Sequence, residues 1–554
     1  MTHIRVENLK YKYPNTDTFA LDDVSFTIEK GQFIGIAGMN TAGKTTLCYA
    51  LSGLIPHFFK GAYGGNVFID EMEVFTHTIS DVTAKVGLVF ENPFSQMTGA
   101  KFTVYDEIAF GLENLGIPRE EMHKRIQESM RLLDIEALRD NNPFSLSGGQ
   151  MQRVAIASVI AMKPDILILD EPTSQLDPQG SEEVFRVVEN LSKEGMTIVM
   201  VEQKVEKLAE YADKIFLMHG GKLIDASTPT EIFSRDDLQM FGVEPPIYTT
   251  VARAHQLRNE ETGLYPISLV EMPTNGIHSN TIQFVEKPTD ETDSPEITVT
   301  NLDFNYTKNN PILQGINATF RGKPIAIIGQ NGAGKTTFVK LLKALLKPKS
   351  GDIIVNGKNT KDMTAAKLAA TIGLVFQNPN DQIFKNNVLD EVMFGPLNIG
   401  QTAEVARANA EKMLEQVGLL HTAEENPYDL SLAERKMIAV ASILAMDTDI
   451  VIFDEPSMGQ DARGKEKLKE IIHGLYAQGK LVLCILHDMD FVAATFGRTV
   501  IFSNGELLYD GPTRQAFAEQ AILTTARVEQ PHLTQLACRM GSTEVVLSID
   551  EFIQ

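Results

Sequence analysis

Short, nearly unbroken apolar runs stand between polar stretches along this chain. "FIGIAG" (33–38) and "DILILDE" (165–171) have the pattern of strands buried on both faces of a parallel sheet, whereas "MIAVASILAM" (437–446) is long enough for a buried helix. Strands of this kind alternating with helices predict an α/β fold.

The apolar pattern recurs because the sequence recurs. "GMNTAGKTT" (38–46) returns as "GQNGAGKTT" (329–337), and "LILDEPTSQLD" (167–177) returns at nearly the same spacing as "VIFDEPSMGQD" (451–461). The tails repeat too, since "PPIYTTVARAHQL" (245–257) is echoed by "QPHLTQLACRM" (530–540). Between the copies, residues 271–296 are rich in Pro, Thr, Asn and acid, as a solvated linker would be, which puts the junction near residue 290. The expected organisation is a first domain over 1–240, its extension and the linker over 241–293, a second domain over 294–515 and its extension over 516–554.

Composition narrows the function classes. At 554 residues, 43% hydrophobic and 22% charged, the chain suits two or more ordinary globular domains. Asp and Glu outnumber Lys and Arg 73 to 50, and the net charge of −23 repels a phosphate backbone, so no nucleic-acid partner is expected. Three scattered cysteines, Cys48, Cys484 and Cys538, argue against a zinc ribbon, an iron–sulfur site or a disulfide framework. "MTHIRVENLK" has charges where a signal peptide needs an apolar stretch, and no segment approaches 18 apolar residues. Any membrane role is then expected to need a partner that spans it.

Gly38–Thr45 and Gly329–Thr336 both fit G-x-x-x-x-G-K-[ST], each after an apolar strand and before a helical pattern. In such a loop the glycines, here Gly38 and Gly43 in one copy and Gly329, Gly332 and Gly334 in the other, let backbone N–H groups wrap phosphates at a helix N-terminus. Lys44 or Lys335 then reaches the β/γ oxygens and Thr45 or Thr336 ligates Mg²⁺; Asn40, Thr46, Asn331 and Thr337 complete the expected ATP-binding set. Asp170 and Asp454 end apolar strands, where a carboxylate can hold the Mg²⁺ shell. Glu171 and Glu455 follow, placed to polarise an attacking water. An Asp-Glu pair without the phosphate loops would be read as a solvated strand end.

At "LSGGQ" (146–150) the chain resembles the ATP-binding cassette ATPases, and the resemblance covers nearly its whole length. It includes the phosphate loops, the signature, the strands ending in Asp170 and Asp454, the D-loops ending in Asp177 and Asp461, and a switch histidine, His487, in "ILHDMD". Two tandem cassettes are implied, each with a helical subdomain and a small C-terminal extension. ATP and Mg²⁺ are the implied cofactors. Gln377 is implied to join the Mg²⁺ shell and the catalytic set, and Ser147, Gly148, Gly149, Gln150 and Ser431 to face nucleotide. Tyr13 and Tyr306 match the family's adenine-stacking aromatic, although a tyrosine at either place is equally compatible with core packing. In the family, two cassettes form a head-to-tail sandwich with each ATP between the phosphate loop of one and the signature of the other. Here the resemblance implies an internal pseudo-dimer.

"VFENPFSQM" (89–97) and "VFQNPNDQIF" (375–384) resemble more narrowly the Q-N-P-x-x-Q segment of the ATPases of energy-coupling-factor importers, and "EIAFGLENLG" (107–116), "EVMFGPLNIG" (391–400) and the repeated tails are similar as well. That resemblance implies a peripheral ATPase on the cytoplasmic face of the cell membrane. Its implied partners are a transmembrane coupling subunit and a substrate-binding membrane subunit, for uptake of a vitamin, a vitamin precursor or a transition metal. Two other readings stand beside it. One is the fused ATPase of another importer, such as a sugar transporter, in which "QNPNDQ" is not expected; the other is a soluble tandem ATPase acting on ribosomes or DNA, against which the acidic, proline-containing linker argues.

The copies differ where chemistry is expected. Gly148 and Gly149 have no Cβ, so their backbone can approach a γ-phosphate; Leu432 and Ala433 put side chains there, and Glu434 adds negative charge near a polyanion. Glu91 stands where the second copy has Gln377. Gln203 stands where it has His487, and an amide cannot carry a proton or a positive charge to the γ-phosphate. On the implied sandwich all these changes fall in one composite site, formed by Lys44, Asp170, Glu91, Gln203 and "LSLAE". The site formed by Lys335, Asp454, Glu455, Gln377, His487 and "LSGGQ" is complete. One hydrolytic site and one that mainly holds nucleotide are expected.

Overall fold

The computed structural model describes residues 2–174, 176, 178–274, 294–307 and 310–553. Asp177 of the first D-loop and the junction expected near residue 290 lie outside the described residues. The chain divides into two compact units, residues 1–272 and 273–554.

In the first unit, Thr2–Lys12, Leu21–Glu29, Ala62–Ile69 and Met72–Glu73 form an antiparallel sheet. A second, six-stranded sheet runs Lys222–Ser227, Lys214–His219, Phe33–Ala37, Thr197–Val201, Ile166–Asp170, Val86–Val89, parallel except for the edge strand Lys222–Ser227. The expected strands are there. Phe33–Ala37, Ile166–Asp170 and Thr197–Val201 are buried along their whole lengths, which is why their sequences show no alternation. The helices Val104–Asn114, Arg119–Leu132 and Gly148–Ala161 pack on one another around Ile108, Leu112, Ile126, Met151 and Ala155.

The second unit repeats this plan. Its antiparallel sheet is Asn310–Phe320, Ile297–Thr307, Ser350–Val355 and Lys358–Asn359. Its larger sheet runs Ile372–Val375, Ile450–Asp454, Leu481–Ile485, Ile325–Ile328, Arg498–Ser503, Glu506–Pro512. Val388–Asn398, Ala403–Val417 and Leu432–Leu444 are the three helices, the last covering most of the apolar stretch expected to be helical. Each unit is thus α/β, a mixed sheet paired with an antiparallel one.

Both units end in short helices that fold back. Ile247–Ala254 starts with its N–H on Glu206 Oε1 at 3.3 Å, and His532–Arg539 starts with its N–H on Asp490 Oδ1 at 2.8 Å. A buried carboxylate, Glu551, receives Arg514 through both oxygens at 2.7 and 3.0 Å and fastens the second tail.

Candidate active site

Each phosphate loop joins a buried central strand to a helix, Lys44–Leu51 or Lys335–Leu342. The loop opens with a glycine at φ 154° (Gly38) or 141° (Gly329), where a Cβ would lie 2.3 Å from Met218 O or 2.1 Å from Phe502 O. Only glycine fits so close to a neighbouring strand. Lys44 Nζ donates to Gly38 O at 2.8 Å and Met39 O at 2.9 Å; Lys335 Nζ donates to Gly329 O at 2.7 Å and Gln330 O at 2.9 Å. Both ammonium groups are thereby held inside the loop, at a helix N-terminus that already favours anions.

The tyrosines sit beside these loops. Tyr13 Oη is 3.3 Å from Thr46 Oγ1, and Tyr306 Oη is 3.3 Å from Thr337 Oγ1. Tyr306 is 59% exposed, whereas Tyr13 is partly covered by edge contacts to Tyr11 and Phe59 at ring-centroid distances of 4.9 and 6.4 Å. The Tyr306 ring face is the more open to a base.

Asp170 and Asp454 end their strands buried, and burial pushes their pKa values up to about 6 and about 7, with Glu455 adding to the rise at Asp454. Asp454 Oδ1 accepts from Thr336 Oγ1 at 3.3 Å, and Asp170 Oδ1 is buried without a hydrogen-bond partner. A buried, proton-prone carboxylate oxygen next to a threonine hydroxyl fits a hard cation. Among the described residues no group of three His, Cys, Asp or Glu could hold a metal by itself. One carboxylate and one threonine hydroxyl, as at Asp454 and Thr336, suit Mg²⁺ carried largely by nucleotide phosphates and water.

The two glutamates have the same backbone and opposite electrostatics. Glu171 (φ 46°) and Glu455 (φ 53°) both sit in the left-handed region, pinned by N–H bonds to Val201 O at 2.9 Å and Ile485 O at 3.1 Å. Glu455 is ringed by donors. His487 Nε2 lies 3.0 Å from its Oε1, Gln377 Nε2 donates to its Oε2 at 3.0 Å, and Lys436 Nζ donates to its carbonyl oxygen at 2.6 Å. Burial would raise its pKa, but His487, Lys335 and Lys436 outweigh burial and hold it at about 2. Glu171 receives one neutral donor, Gln203 Nε2 at 2.8 Å on Oε1. Burial and the neighbouring Glu91 drive its pKa well above the ordinary value. Glu455 is thereby held as a carboxylate, whereas burial and Glu91 favour the protonated form of Glu171.

Two contributors went unnoticed in the sequence. Lys436 is buried where the first unit has Gln152, itself buried with Oε1 unpartnered and Nε2 3.4 Å from Phe90 O. The aligned "SLSGGQMQ" and "DLSLAERK" already carried that difference in their last letters. Thr41 occupies the place of Gly332, and both have positive φ, 65° and 78°. A β-branched residue there costs about 1–3 kcal/mol of backbone strain, so the first loop departs from the second at one more position.

Both signatures begin helices capped in the same way. Ser147 Oγ accepts from Gln150 N at 3.3 Å while Gln150 Oε1 accepts from Ser147 N at 3.1 Å. Ser431 Oγ accepts from Glu434 N at 3.3 Å while Glu434 Oε2 accepts from Ser431 N at 2.9 Å. The Glu434 carboxylate is thus folded into its own helix cap. Ala433 is buried, with its carbonyl accepting from Gln460 Nε2 at 3.0 Å, so Leu432 is the replacement that presents a partly exposed side chain. Asp461, the described D-loop aspartate, caps the helix Ala462–Ala477 by accepting from Gly464 N at 2.9 Å.

The proline-bearing loops are tied to these same helices. Gln382 Oε1 accepts from Phe376 N at 3.1 Å while its Nε2 donates to Ala439 O at 2.9 Å and Ser442 Oγ at 3.1 Å. Gln96 does likewise in the first unit, with Phe90 N at 3.1 Å and Ala155 O at 3.5 Å. Asn378 and Asn92 cap the short turns after them. Buried Glu391 holds the end of the second loop through Phe384 N and Lys385 N at 3.0 and 2.9 Å.

Comparison with known proteins agrees with this geometry. Residues 21–174 and 313–458 match the family model described as ABC transporter. A putative ABC transporter ATP-binding protein of Methanosarcina acetivorans is 34% identical over 552 residues, covering 96% of this chain and 90% of its own length. One from Caldanaerobacter subterraneus subsp. tengcongensis is 35% identical over 567 residues, covering 99% and 98%. Among solved structures, cbiO1 from Clostridium perfringens, described as part of the ABC transporter complex cbiONQ, is 32% identical over 43% of this chain and 93% of that one, with a TM-score of 0.38. The chain belongs to the ABC transporter ATP-binding proteins and is an ATPase with two tandem cassettes.

Proposed function

We propose that this ABC ATPase powers an energy-coupling-factor importer and hydrolyses ATP at the nucleotide held by the second cassette, while the first cassette's nucleotide is mainly retained. The observation that carries the asymmetry is the contrast between Glu455, surrounded by His487, Gln377 and Lys436, and Glu171, facing Gln203 and Glu91. Members of this family act with membrane-spanning transporter partners, and among the described residues no helix is long and apolar enough to cross a membrane. Support for the importer class comes from the segments "ENPFSQ" (91–96) and "QNPNDQ" (377–382), which resemble Q-N-P-x-x-Q and each link a surface loop to a signature helix. The substrate-binding membrane subunit would select the vitamin, vitamin precursor or transition metal.

In this reading two ATP molecules, each with Mg²⁺, close a head-to-tail sandwich of the cassettes. Lys335, Thr336 and Asp454 would hold one Mg²⁺-nucleotide, Glu455 would orient the attacking water, and His487 and Gln377 would face the γ-phosphate, with "LSGGQ" of the first cassette completing the site. Lys44, Thr45 and Asp170 hold the other beside "LSLAE". Purification of the tagged chain from solubilised membranes tests the importer class. Co-purification of a transmembrane subunit together with a small substrate-binding membrane protein supports it. Recovery with a pair of permease subunits and an extracellular binding protein would overturn it.

A further inference from the structure

Lys436 is a lysine 2% exposed, on the helix that opens with the altered signature. Burying an ammonium group is costly unless it is hydrogen-bonded, and a buried lysine is therefore held for some purpose. Its Nζ donates to the carbonyl oxygen of Glu455 at 2.6 Å. That carbonyl belongs to a residue at φ 53°, a backbone conformation that non-glycine residues adopt only where the surroundings enforce it. The Glu455 N–H is fixed by Ile485 O at 3.1 Å, and its carbonyl accepts a longer turn bond from Met458 N at 3.4 Å, to which Lys436 adds a short side-chain bond.

In the first cassette the corresponding carbonyl, that of Glu171, accepts from Ser174 N at 3.2 Å. Glu171 has the same backbone, with φ 46° and its N–H on Val201 O at 2.9 Å, but Gln152 stands at the lysine's place and its Nε2 bonds Phe90 O at 3.4 Å. The lysine therefore accompanies the glutamate that also meets His487 and Gln377, and glutamine takes its place beside the one that meets Gln203.

We propose that Lys436 is a positioning residue for ATP hydrolysis: by holding the Glu455 carbonyl it fixes the glutamate side chain toward the attacking water and couples the second signature helix to the hydrolytic centre. Ser431 caps the start of that helix and Lys436 lies within its first turns. A shift of the helix start, such as nucleotide at "LSLAE" would cause, then reaches Glu455 through one side chain. The proposal rests on Glu455 being the base of the hydrolytic site.

The test is a double-mutant cycle on the full chain, with steady-state ATPase rates and binding of a fluorescent ATP analogue. Lys436→Met is expected to lower kcat by roughly 10- to 100-fold, as misplacement of a catalytic group does, with analogue affinity and melting temperature close to the parent. In a Glu455→Gln background the same change is expected to add almost nothing, because the residue it positions is gone. Equal fold losses in both backgrounds, or parental kcat in Lys436→Met, would overturn the proposal. If Lys436→Met fails to fold, Lys436→Gln supplies the side chain that the first cassette accommodates at this place and takes its role in the cycle. Full turnover in Glu455→Gln alone would instead refute the assignment of the base, a result distinct from failure of the lysine's role.

Discussion

His487 Nε2 lies 3.0 Å from Glu455 Oε1, and this contact joins the end of one central strand to the switch that follows the next. At the corresponding place Gln203 donates to Glu171 Oε1 at 2.8 Å, so the geometry survives in the first cassette while the charge does not. An imidazole next to a carboxylate stabilises its ionised form. The amide beside Glu171 also favours the ionised form, but burial and Glu91 outweigh it.

The first prediction follows from those charge states. Burial and Glu91 favour the protonated form of Glu171, which glutamine resembles, so Glu171→Gln is expected to leave most ATP turnover. Glu455→Gln removes a base and is expected to cost roughly 10²- to 10⁴-fold. Steady-state phosphate release from the two variants, with similar losses in both, would contradict a single hydrolytic centre.

The phosphate loops, the strand-ending carboxylates and the asymmetry of the switch positions were all readable in the amino-acid sequence, because each depends on residue type at fixed spacing after an apolar run. What escaped was set by side-chain direction. Glu434 reads as a negative charge facing phosphate, yet its carboxylate bends back to cap its helix, as Gln150 does in the other copy. Asn378 stands in the segment that resembles the importer ATPases, yet its Oδ1 accepts from Asn380 N at 3.1 Å and caps the turn. Lys436 and Gln152 differ in plain sight, but nothing local to a helix says that one of its lysines reaches a glutamate carbonyl 19 positions on. Tertiary packing decides that.

Docking on a transmembrane partner is expected to depend on exposed Asp381 and on the linkage through Gln382. Asp381→Lys should weaken co-purification of the transmembrane subunit while ATP binding persists. Gln382→Ala should leave the partner bound but lower transport per ATP hydrolysed, because the loop loses its bonds to Ala439 and Ser442. Asn378 is unsuitable for this test, since losing its cap alone costs about 1 kcal/mol. Unaltered association and coupling in both variants would remove the loop from the transmission path.

Mg²⁺ dependence should follow the buried aspartates. With Thr336 and Asp454 supplying its protein ligands, removal of the ion by EDTA is expected to abolish turnover, and Asp454→Asn to raise the Mg²⁺ concentration needed for half-maximal rate. Asp170→Asn, in the cassette proposed mainly to retain nucleotide, should change nucleotide retention more than rate. Equal rate losses from the two aspartate variants in a Mg²⁺ titration would contradict the division of labour.

Composite pairing gives the last prediction. Gly148 and Gly149 belong to the first cassette, but in the proposed sandwich they complete the site of the nucleotide held by Lys335 in the second. Gly149 is buried at the start of its helix, so an added carboxylate there would both crowd the backbone and repel a γ-phosphate. Gly149→Asp is therefore expected to reduce turnover by roughly 10²- to 10³-fold, the loss typical of removing a preorganised transition-state donor. Restoring glycine at Leu432 and Ala433 should add little, because burial and Glu91 would still favour the protonated form of Glu171, with the neutral amide of Gln203 on its Oε1. Adding Gln203→His and Glu91→Gln to that pair supplies an imidazole and removes the competing carboxylate. Turnover should then become detectable in a Glu455→Gln background. Parental turnover in Gly149→Asp would separate "LSGGQ" from the second cassette's nucleotide. A doubling of rate by the glycine pair alone would mean that the first site was limited only by its signature, and the charge state of Glu171 would then have no hold on hydrolysis.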